Sequence, residues 1–271
     1  QGLPRTNDSE HFVFRTAETA EAILEGRLYP RWSAAALGGY GAPLPHFTPP
    51  APTYLAALVQ VLFTGDPAAA VRIIYAAAIL LAGAAIYKLG AQRGGTQVGV
   101  LACLLYVYSP YLGLIAPHLR GDLPAAVGMA LLPLTLGAAD RLLRFNQPID
   151  FLTLWSGGTL LLLTDPRLAA LALGLIALLA LWVRARERAP LSPLSVVAAL
   201  TLGLGAAAFF WLPALAESDA VRWQAGISAE DRPTLAALLA PLQLADPGAL
   251  IPTPTWSLGL GPLIFAIVSA M

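Results

Sequence analysis

The chain has few charged residues and a single cysteine. Only 12% of its 271 residues are charged, and 16 Lys and Arg balance 16 Asp and Glu. A nucleic-acid backbone is bound by a basic field, which this balance does not provide. Cys103 has no second thiol with which to form a disulfide or a thiolate metal cluster. The sequence therefore predicts no nucleic-acid partner, no thiol redox chemistry and no thiolate zinc site.

Apolar residues dominate instead. They make up 57% of the chain, against about 45–50% in soluble domains. Runs of about 20 apolar residues recur, which is the length of a membrane-spanning helix. The sequence therefore predicts an all-α, polytopic transmembrane bundle whose partners include membrane lipids. The six candidate spans within residues 68–212 are Ala68–Tyr87, Thr96–Ile115, Leu123–Leu143, Ile149–Leu163, Leu168–Val183 and Pro193–Leu212.

The distribution of basic residues predicts the orientation of these spans. Among the short loops, Lys and Arg are most frequent in three alternate ones, after the first, third and fifth spans, which the positive-inside rule places in the cytoplasm. Residues 1–67 and 213–256 then lie outside, together with the short loops that contain Asp122 and Asp165, and this side carries all three histidines and 13 of the 16 acids. A further helix begins in 257–271, and we expect the chain to be a fragment that lacks an earlier membrane helix. The basic residues are Lys88, Arg93, Arg141, Arg144, Arg184, Arg186 and Arg188.

The first outer segment has two helical patterns. Residues Glu10–Glu25 form an incomplete amphipathic pattern that Gly26 ends, which predicts a helix along the membrane surface. The run Ala51–Phe63 is too short to span and favours a re-entrant or interfacial helix. Between them, the stretches 29–32 and 38–43 contain Pro and Gly and indicate an ordered loop.

The first group of candidate site residues is Asp8, His11 and Arg15. Helical spacing places each beside the next. A carboxylate beside a histidine can take a proton from a hydroxyl nucleophile, or bind a divalent cation with other oxygens. The alternative is helix capping, since Asn7, Asp8 and Ser9 are all good N-cap residues.

The second group is His118, Arg120 and Asp122, in the outer loop before the third span. Arginine can hold a phosphate in a bidentate manner, and Asp122 could orient it or act as a base. Alternatively, Asp122 caps the helix that begins with Pro124. The sequence around Asp165 is typical of an N-cap followed by Pro at the first helical position. The histidine spacing has no metal-site signature.

Several motifs resemble a bacterial family. They are the run "DSEHFVFRTAETAEAILEGRLYPRWSAAALGGYGAPLPHFTPPAPTYLAAL" at 8–58, and the later "YSPY", "LRGDLPAAVGMALLPL" and "AFFWLPAL". The family is that of the 6-pyruvoyl-tetrahydropterin synthase-related polytopic membrane proteins, which resemble type C (GT-C) glycosyltransferases. The label implies no pterin chemistry here, because the chain lacks a soluble tunnelling domain and a zinc-binding histidine cluster.

The resemblance implies a GT-C-like bundle in the bacterial cytoplasmic membrane. It implies an outer cavity that receives a polyprenyl-phosphate-linked sugar, with Asp8 as the general base or acceptor-orienting carboxylate and Arg120 at the donor phosphate. The candidate catalytic residues are Asp8, His11 and Asp122. The candidate substrate-binding residues are Arg15, Arg31, Tyr40, His46, His118 and Arg120.

Three functions remain open at this point. The first is glycosyl transfer from a lipid-linked donor, and the second is a non-catalytic subunit whose outer loops bind membrane protein partners. The third is transport of lipid-linked saccharides, which favours ionisable residues near the midplane of the spans. The central thirds of the spans are nearly free of such residues, which disfavours transport. The sequence predicts no particular cofactor. Asp8 and His11 are compatible with a divalent cation.

Overall fold

The computed structural model describes residues 6, 8–186 and 192–220, and most of this part of the chain is helical. The all-α prediction is confirmed for it: the described residues contain no strand, only an isolated antiparallel bridge between Ser33 and Ala42. The α-helices in chain order are α1 (Ser9–Leu24), α2 (Leu44–Phe47), α3 (Ala51–Val59), α4 (Pro67–Val107), α5 (Leu123–Phe145), α6 (Pro148–Leu162), α7 (Pro166–Arg186), α8 (Pro193–Ala206) and α9 (Ala208–Ala216). Two π-helical segments, Gln60–Thr64 and Tyr111–Arg120, follow α3 and α4.

Helix α4 reverses direction in its middle. Gly94 (φ −137°, ψ 17°) and Gly95 (φ 78°, ψ −177°) leave the helical region, and a left-handed φ of this kind suits glycine. The two halves return along each other, because a Cβ built on Gly90 would lie 3.1 Å from the Cα of Gly99. Residues 67–93 and 96–107 therefore form a hairpin of two antiparallel helices, as the first two candidate spans predict.

Three helical segments in the described part are long and apolar enough to cross a membrane. They are Pro67–Arg120, Leu123–Phe145 and Pro166–Ala185, and α8 with α9 makes a fourth if a pair bent by 64° counts as one span. The first segment has 54 residues, about 80 Å of helix at 1.5 Å per residue, which exceeds a bilayer core of about 30 Å. The reversal in α4 accounts for this excess. The total of six spans stays a prediction, since α6 has only 15 residues.

Helix α5 is the central element. The structure buries 78% of its most apolar window, compared with 17% for α7. Asp122 caps its start and Pro124 lies in its first turn, while Asn146 in the left-handed conformation ends it. One buried cluster contains Phe12 of α1, Val71 of α4 and Leu131 of α5, and a second contains Leu143 and Leu154. The bundle is therefore built around α5.

The loops between these helices meet at two ends of the bundle. At one, which we call the arginine end, Asp140 lies 2.7 Å from Nη2 of Arg93 and 2.9 Å from Nε of Arg144. There, too, Arg141 lies 2.6 Å from Asp150. The opposite end, the α1 end, carries residues 8–66 and the loops that follow α4, α6 and α8.

Backbone and side-chain contacts assemble the α1 end. The amide of Asp8 donates to the carbonyl of Arg120 (2.8 Å), and the amide of Ala51 donates to the carbonyl of Leu163 (3.0 Å). Segments far apart in the sequence are thus held together at this end.

Helix α1 lies where the sequence predicts a helix and ends at Gly26, whose φ is 81°. Its buried face includes Phe12 in the main core and the polar residues Thr16 and Thr19, whose hydroxyls donate to carbonyls four residues earlier. One face of the helix is therefore packed against the protein, and its placement along a membrane surface stays a prediction. The predicted helix in 257–271 and most of the loop 213–256 lie outside the described residues.

Candidate functional site

The start of α1 is docked on the loop that precedes α5. Besides the backbone hydrogen bond from Asp8 to Arg120, Gly121 (φ 66°) contacts the first turn of α1 directly. A Cβ at Gly121 would lie 2.6 Å from the amide nitrogen of Ser9 and would also collide with the hydroxyls of Thr6 and Ser9. Glycine is therefore required here by both conformation and space. The docking brings Asp8 and His11 together with Arg120 and Asp122, although the sequence separates these pairs by more than 100 positions.

Two carboxylates at this end are used to cap helices. Oδ1 of Asp122 accepts from the amide of Ala125 (3.0 Å), and its Oδ2 lies 3.8 Å from Nη2 of Arg120. Oδ1 of Asp165 accepts from the amide of Arg167 (2.9 Å), whose guanidinium binds both carboxylate oxygens at 3.1 Å. The capping interpretation is thus confirmed for Asp122 and Asp165.

The Asp8 carboxylate is not used in this way. Asp8 is at the N-cap position of α1, but its side chain makes no capping hydrogen bond. Partial burial raises the pKa of the Asp8 carboxyl, and the negative charge of Asp122 raises it further, whereas Arg120 and His11 lower it. A carboxyl with a raised pKa is a stronger base than an ordinary aspartate once ionised. The Asp8 carboxylate thus accepts no amide hydrogen bond from the helix that it precedes, unlike the carboxylates of Asp122 and Asp165.

His11 lies one helical turn from Asp8. Partial burial lowers the pKa of its imidazole, the charge of Arg15 lowers it further, and Asp8 acts in the opposite direction. A lowered pKa favours the neutral imidazole, which can accept a hydrogen bond on one nitrogen and donate from the other.

Sequence analysis did not identify two tyrosines at this site. The Tyr75 hydroxyl is buried, interacts electrostatically with the charges of Asp8 and Asp122, and has no hydrogen-bond partner in the described part of the chain. The hydroxyl of Tyr111 interacts electrostatically with four charged side chains, those of Arg120, Asp122, Asp165 and Arg167. The available signal for Tyr75 was a hydroxyl within the apolar span Ala68–Tyr87, whose other polar side chains are Arg72 and Tyr87.

The remaining candidates lie apart from this cluster. The Arg31 guanidinium stacks on the ring of Tyr29 at 5.4 Å, Tyr40 is 91% exposed, and the His118 side chain is exposed. His46 is buried against Phe47. Its Nε2 lies 3.2 Å from Oε2 of Glu217 but forms no hydrogen bond with any described residue. Arg15 is also buried, in a separate cavity near the loop 30–35.

An apolar groove opens at the same end. Its volume is about 510 Å³, and almost all of its surface is carbon. The hydroxyl of Tyr54 donates to the carbonyl of Leu28 (2.7 Å), and Tyr29 packs edge-on against Phe209, with ring centroids 5.2 Å apart. The lining also includes Pro50, Ala51, Leu55, Leu58, Leu160 and Leu163. A groove of this size and polarity suits a hydrocarbon chain.

The described residues contain no group of three or more His, Cys, Asp or Glu side chains placed to hold a metal ion. The groups gathered in the cluster are carboxylates, an arginine, an imidazole and tyrosine hydroxyls.

Residues 46–270 match the model of the 6-pyruvoyl-tetrahydropterin synthase related domain, which is described as a membrane protein. The chain belongs to this family. The match covers most of the chain, and with the apolar helices it makes this an integral membrane protein. No curated protein and no solved structure matches the chain.

The family match divides the candidate site. Arg120, Asp122 and most of the apolar groove lie inside the matched range, whereas Asp8, His11 and Arg15 precede it. The family name refers to 6-pyruvoyl-tetrahydropterin synthase but assigns no reaction to the residues of this site.

Proposed function

We propose that this family member is a membrane glycosyltransferase. It transfers a sugar from a polyprenyl-phosphate donor to an acceptor hydroxyl at the extracytoplasmic face, with Asp8, His11, Arg120 and Asp122 forming the site. The observation that carries the proposal is the Asp8 carboxylate, which caps no helix and is fixed next to Arg120 by the backbone hydrogen bond between these residues (2.8 Å).

The two groups supply the two needs of such a transfer. Asp8 accepts the proton of the acceptor hydroxyl as its oxygen forms a bond with the anomeric carbon of the donor. The bond from that carbon to the phosphate oxygen breaks, and the polyprenyl phosphate leaves with the electron pair. Arg120 stabilises the negative charge on the leaving phosphate. His11 and Asp122 orient the acceptor and Arg120, respectively.

The apolar groove supports a lipid-linked donor. A polyprenyl chain is a branched hydrocarbon, and the groove of about 510 Å³ at the α1 end offers it an apolar surface. The orientation follows from charge: the arginine end, with Arg93, Arg141 and Arg144, is the cytoplasmic one by the positive-inside rule. The α1 end then faces the opposite compartment.

We expect Asp8→Asn to reduce transfer by about 100-fold or more, since asparagine is nearly isosteric but cannot take the proton. The assay measures transfer from a panel of radiolabelled polyprenyl-phosphate sugars in membranes that contain the full-length protein. Glu10→Gln is the matched control, because Glu10 is an exposed acid in the same helical turn, and it should retain activity within about twofold. If no donor supports transfer and the protein co-purifies with a stable partner, the chain is a non-catalytic subunit and the proposal is wrong.

The pH dependence of transfer gives a second prediction. Because the Asp8 pKa is raised, kcat/KM should fall at low pH with a midpoint above the usual value for aspartate. Asp122→Asn removes a charge that raises this pKa, so the midpoint should move to lower pH. Arg120→Lys keeps a positive charge and should leave the midpoint nearly unchanged, whereas Arg120→Gln should move it to higher pH. If the midpoint moved in the same direction in Asp122→Asn and in Arg120→Gln, the group that titrates would not be Asp8.

A further inference from the structure

Arg15 is a buried cation whose side chain lines a cavity and has no ion pair within 4.0 Å among the described residues. Its side chain points from the second turn of α1 into the protein, and only 6% of the residue is exposed. Burial lowers the pKa of its guanidinium to about 10, an effect that the charge of Glu18 opposes, so Arg15 remains positively charged at neutral pH. A buried charge is costly unless it is paired and hydrogen-bonded. The arrangement therefore calls for a compensating group.

Glu18 compensates this charge only at a distance, through its own negative charge. Its carboxylate accepts from the hydroxyl of Ser33 and from the amide of Ala35 (3.0 Å). No oxygen of Glu18 lies within the 4.0 Å of an ion pair with Arg15 among the described contacts. Its hydrogen bonds instead tie the loop 30–35 to α1.

This loop encloses a cavity over Arg15. The cavity measures about 100 Å³ and is lined by Arg15, Glu18, Glu21, Arg27, Trp32 and Ser33, among others. Ser33 and Ala42 exchange two backbone hydrogen bonds of 2.8 and 2.9 Å, and the indole of Trp32 packs directly on Gly41, where a Cβ would lie 2.8 Å from Cε2. The loop is thus fixed by its own contacts, and the cavity exists before any ligand binds.

We infer that this cavity binds the oxyanion group, a carboxylate or a phosphate, of a sugar acid or sugar phosphate. The guanidinium of Arg15 holds the oxyanion, for which its planar fork of donors is suited. Glu18 and Glu21 face the hydroxyls, which can donate to carboxylates, and Trp32 offers an apolar surface to the ring. The small volume, compared with about 300–1,000 Å³ for whole-ligand pockets, fits one end of such a molecule. The site is distinct from the Asp8 cluster and does not depend on transferase activity.

Calorimetric titration of the purified full chain in detergent tests the inference. The probes are glucuronate, glucose 1-phosphate and glucose. We expect at least one of the two anions to bind and glucose to bind at least about tenfold more weakly, because it lacks the charged group. Which anion binds more tightly identifies the oxyanion as carboxylate or phosphate. The highest concentration of each anion is 10 mM, on the order of ten times a Kd of 1 mM. If neither anion binds at this concentration, or if glucose binds equally well, the inference is wrong.

Two variants locate the site. Arg15→Met should weaken anion binding by about tenfold or more. Arg72→Met is the control, since Arg72 is an exposed arginine of α4 that lies 3.9 Å from Asp66 and does not line this cavity, and it should leave the affinity within about twofold. Unchanged binding in Arg15→Met would overturn the assignment.

The stability of the unliganded variant gives an independent readout. Because Arg15→Met removes a buried charge that has no ion pair among the described residues, the apparent Tm of the unliganded protein should rise. Arg15→Lys keeps the charge without the planar fork, so it should weaken oxyanion binding without this rise. A lower Tm in Arg15→Met, or failure of that variant to fold, would mean that Arg15 has a structural role and would contradict the inference.

Discussion

Asp140→Ala is expected to lower the free energy of unfolding by about 3–5 kcal/mol, the usual cost of removing one partner from a buried ion pair. Only 5% of Asp140 is exposed, and its carboxylate lies 2.7 Å from Nη2 of Arg93 and 2.9 Å from Nε of Arg144. Arg93 belongs to the first half of α4 and also stacks on Trp182 of α7 at 5.4 Å. A single carboxylate therefore joins α4 to α5, next to a contact with α7.

Unfolding of the purified protein in mixed micelles, followed by tryptophan fluorescence, measures this effect. Glu10→Ala is the control, because the exposed acid Glu10 should change the free energy by less than about 0.5 kcal/mol. A loss below about 1 kcal/mol for Asp140→Ala would show that water screens the cluster as it does a surface pair. Apolar packing alone would then stabilise the arginine end.

The helix positions could be predicted from the sequence because local signals mark them. Helix α5 was predicted over 123–143 and extends over Leu123–Phe145, with an aspartate cap and a proline at its start. The reversal of α4 likewise falls at Gly94 and Gly95, between two apolar runs. The bend of 64° between α8 and α9 was not predicted, since the predicted span Pro193–Leu212 runs through it. Ala207 at the bend has no turn signal, and Phe209 beyond it packs on Tyr29, a contact that only the tertiary structure creates.

The candidate site was predictable as a set of residues but not as an arrangement. Asp8, Asp122 and Asp165 each directly precede a helix, so the same sequence pattern predicts capping for each. In the structure, Asp122 and Asp165 cap and Asp8 does not. At Asp8 the first turn of α1 meets the loop at Gly121, and the Ser9 amide there is satisfied by the hydroxyl of Thr6 (3.1 Å). A contact between segments this far apart leaves no local trace in the sequence.

Gly121→Val is expected to detach the first turns of α1 from the loop before α5. A β-branched side chain is strained at the φ of 66°, and its Cβ would lie 2.6 Å from the amide nitrogen of Ser9. Strain of about 1–2 kcal/mol and overpacking of about 1–3 kcal/mol together make about 2–5 kcal/mol. The hydrogen bond from Asp8 to Arg120 would be lost with the contact, and transfer activity with it.

Amide hydrogen exchange over residues 9–16 measures this detachment without relying on any activity. A local opening free energy lowered by about 3 kcal/mol speeds exchange more than about 100-fold. Gly26→Val is the matched control: Gly26 has a similar φ of 81° but nothing within 4 Å of a Cβ, so it isolates backbone strain from the clash. It should leave exchange at 9–16 within about threefold. Equal exchange in the two variants would mean that backbone strain, and not the contact of Gly121 with Ser9, controls the docking of α1. Asp8 would then be held to Arg120 less tightly than the 2.8 Å hydrogen bond indicates.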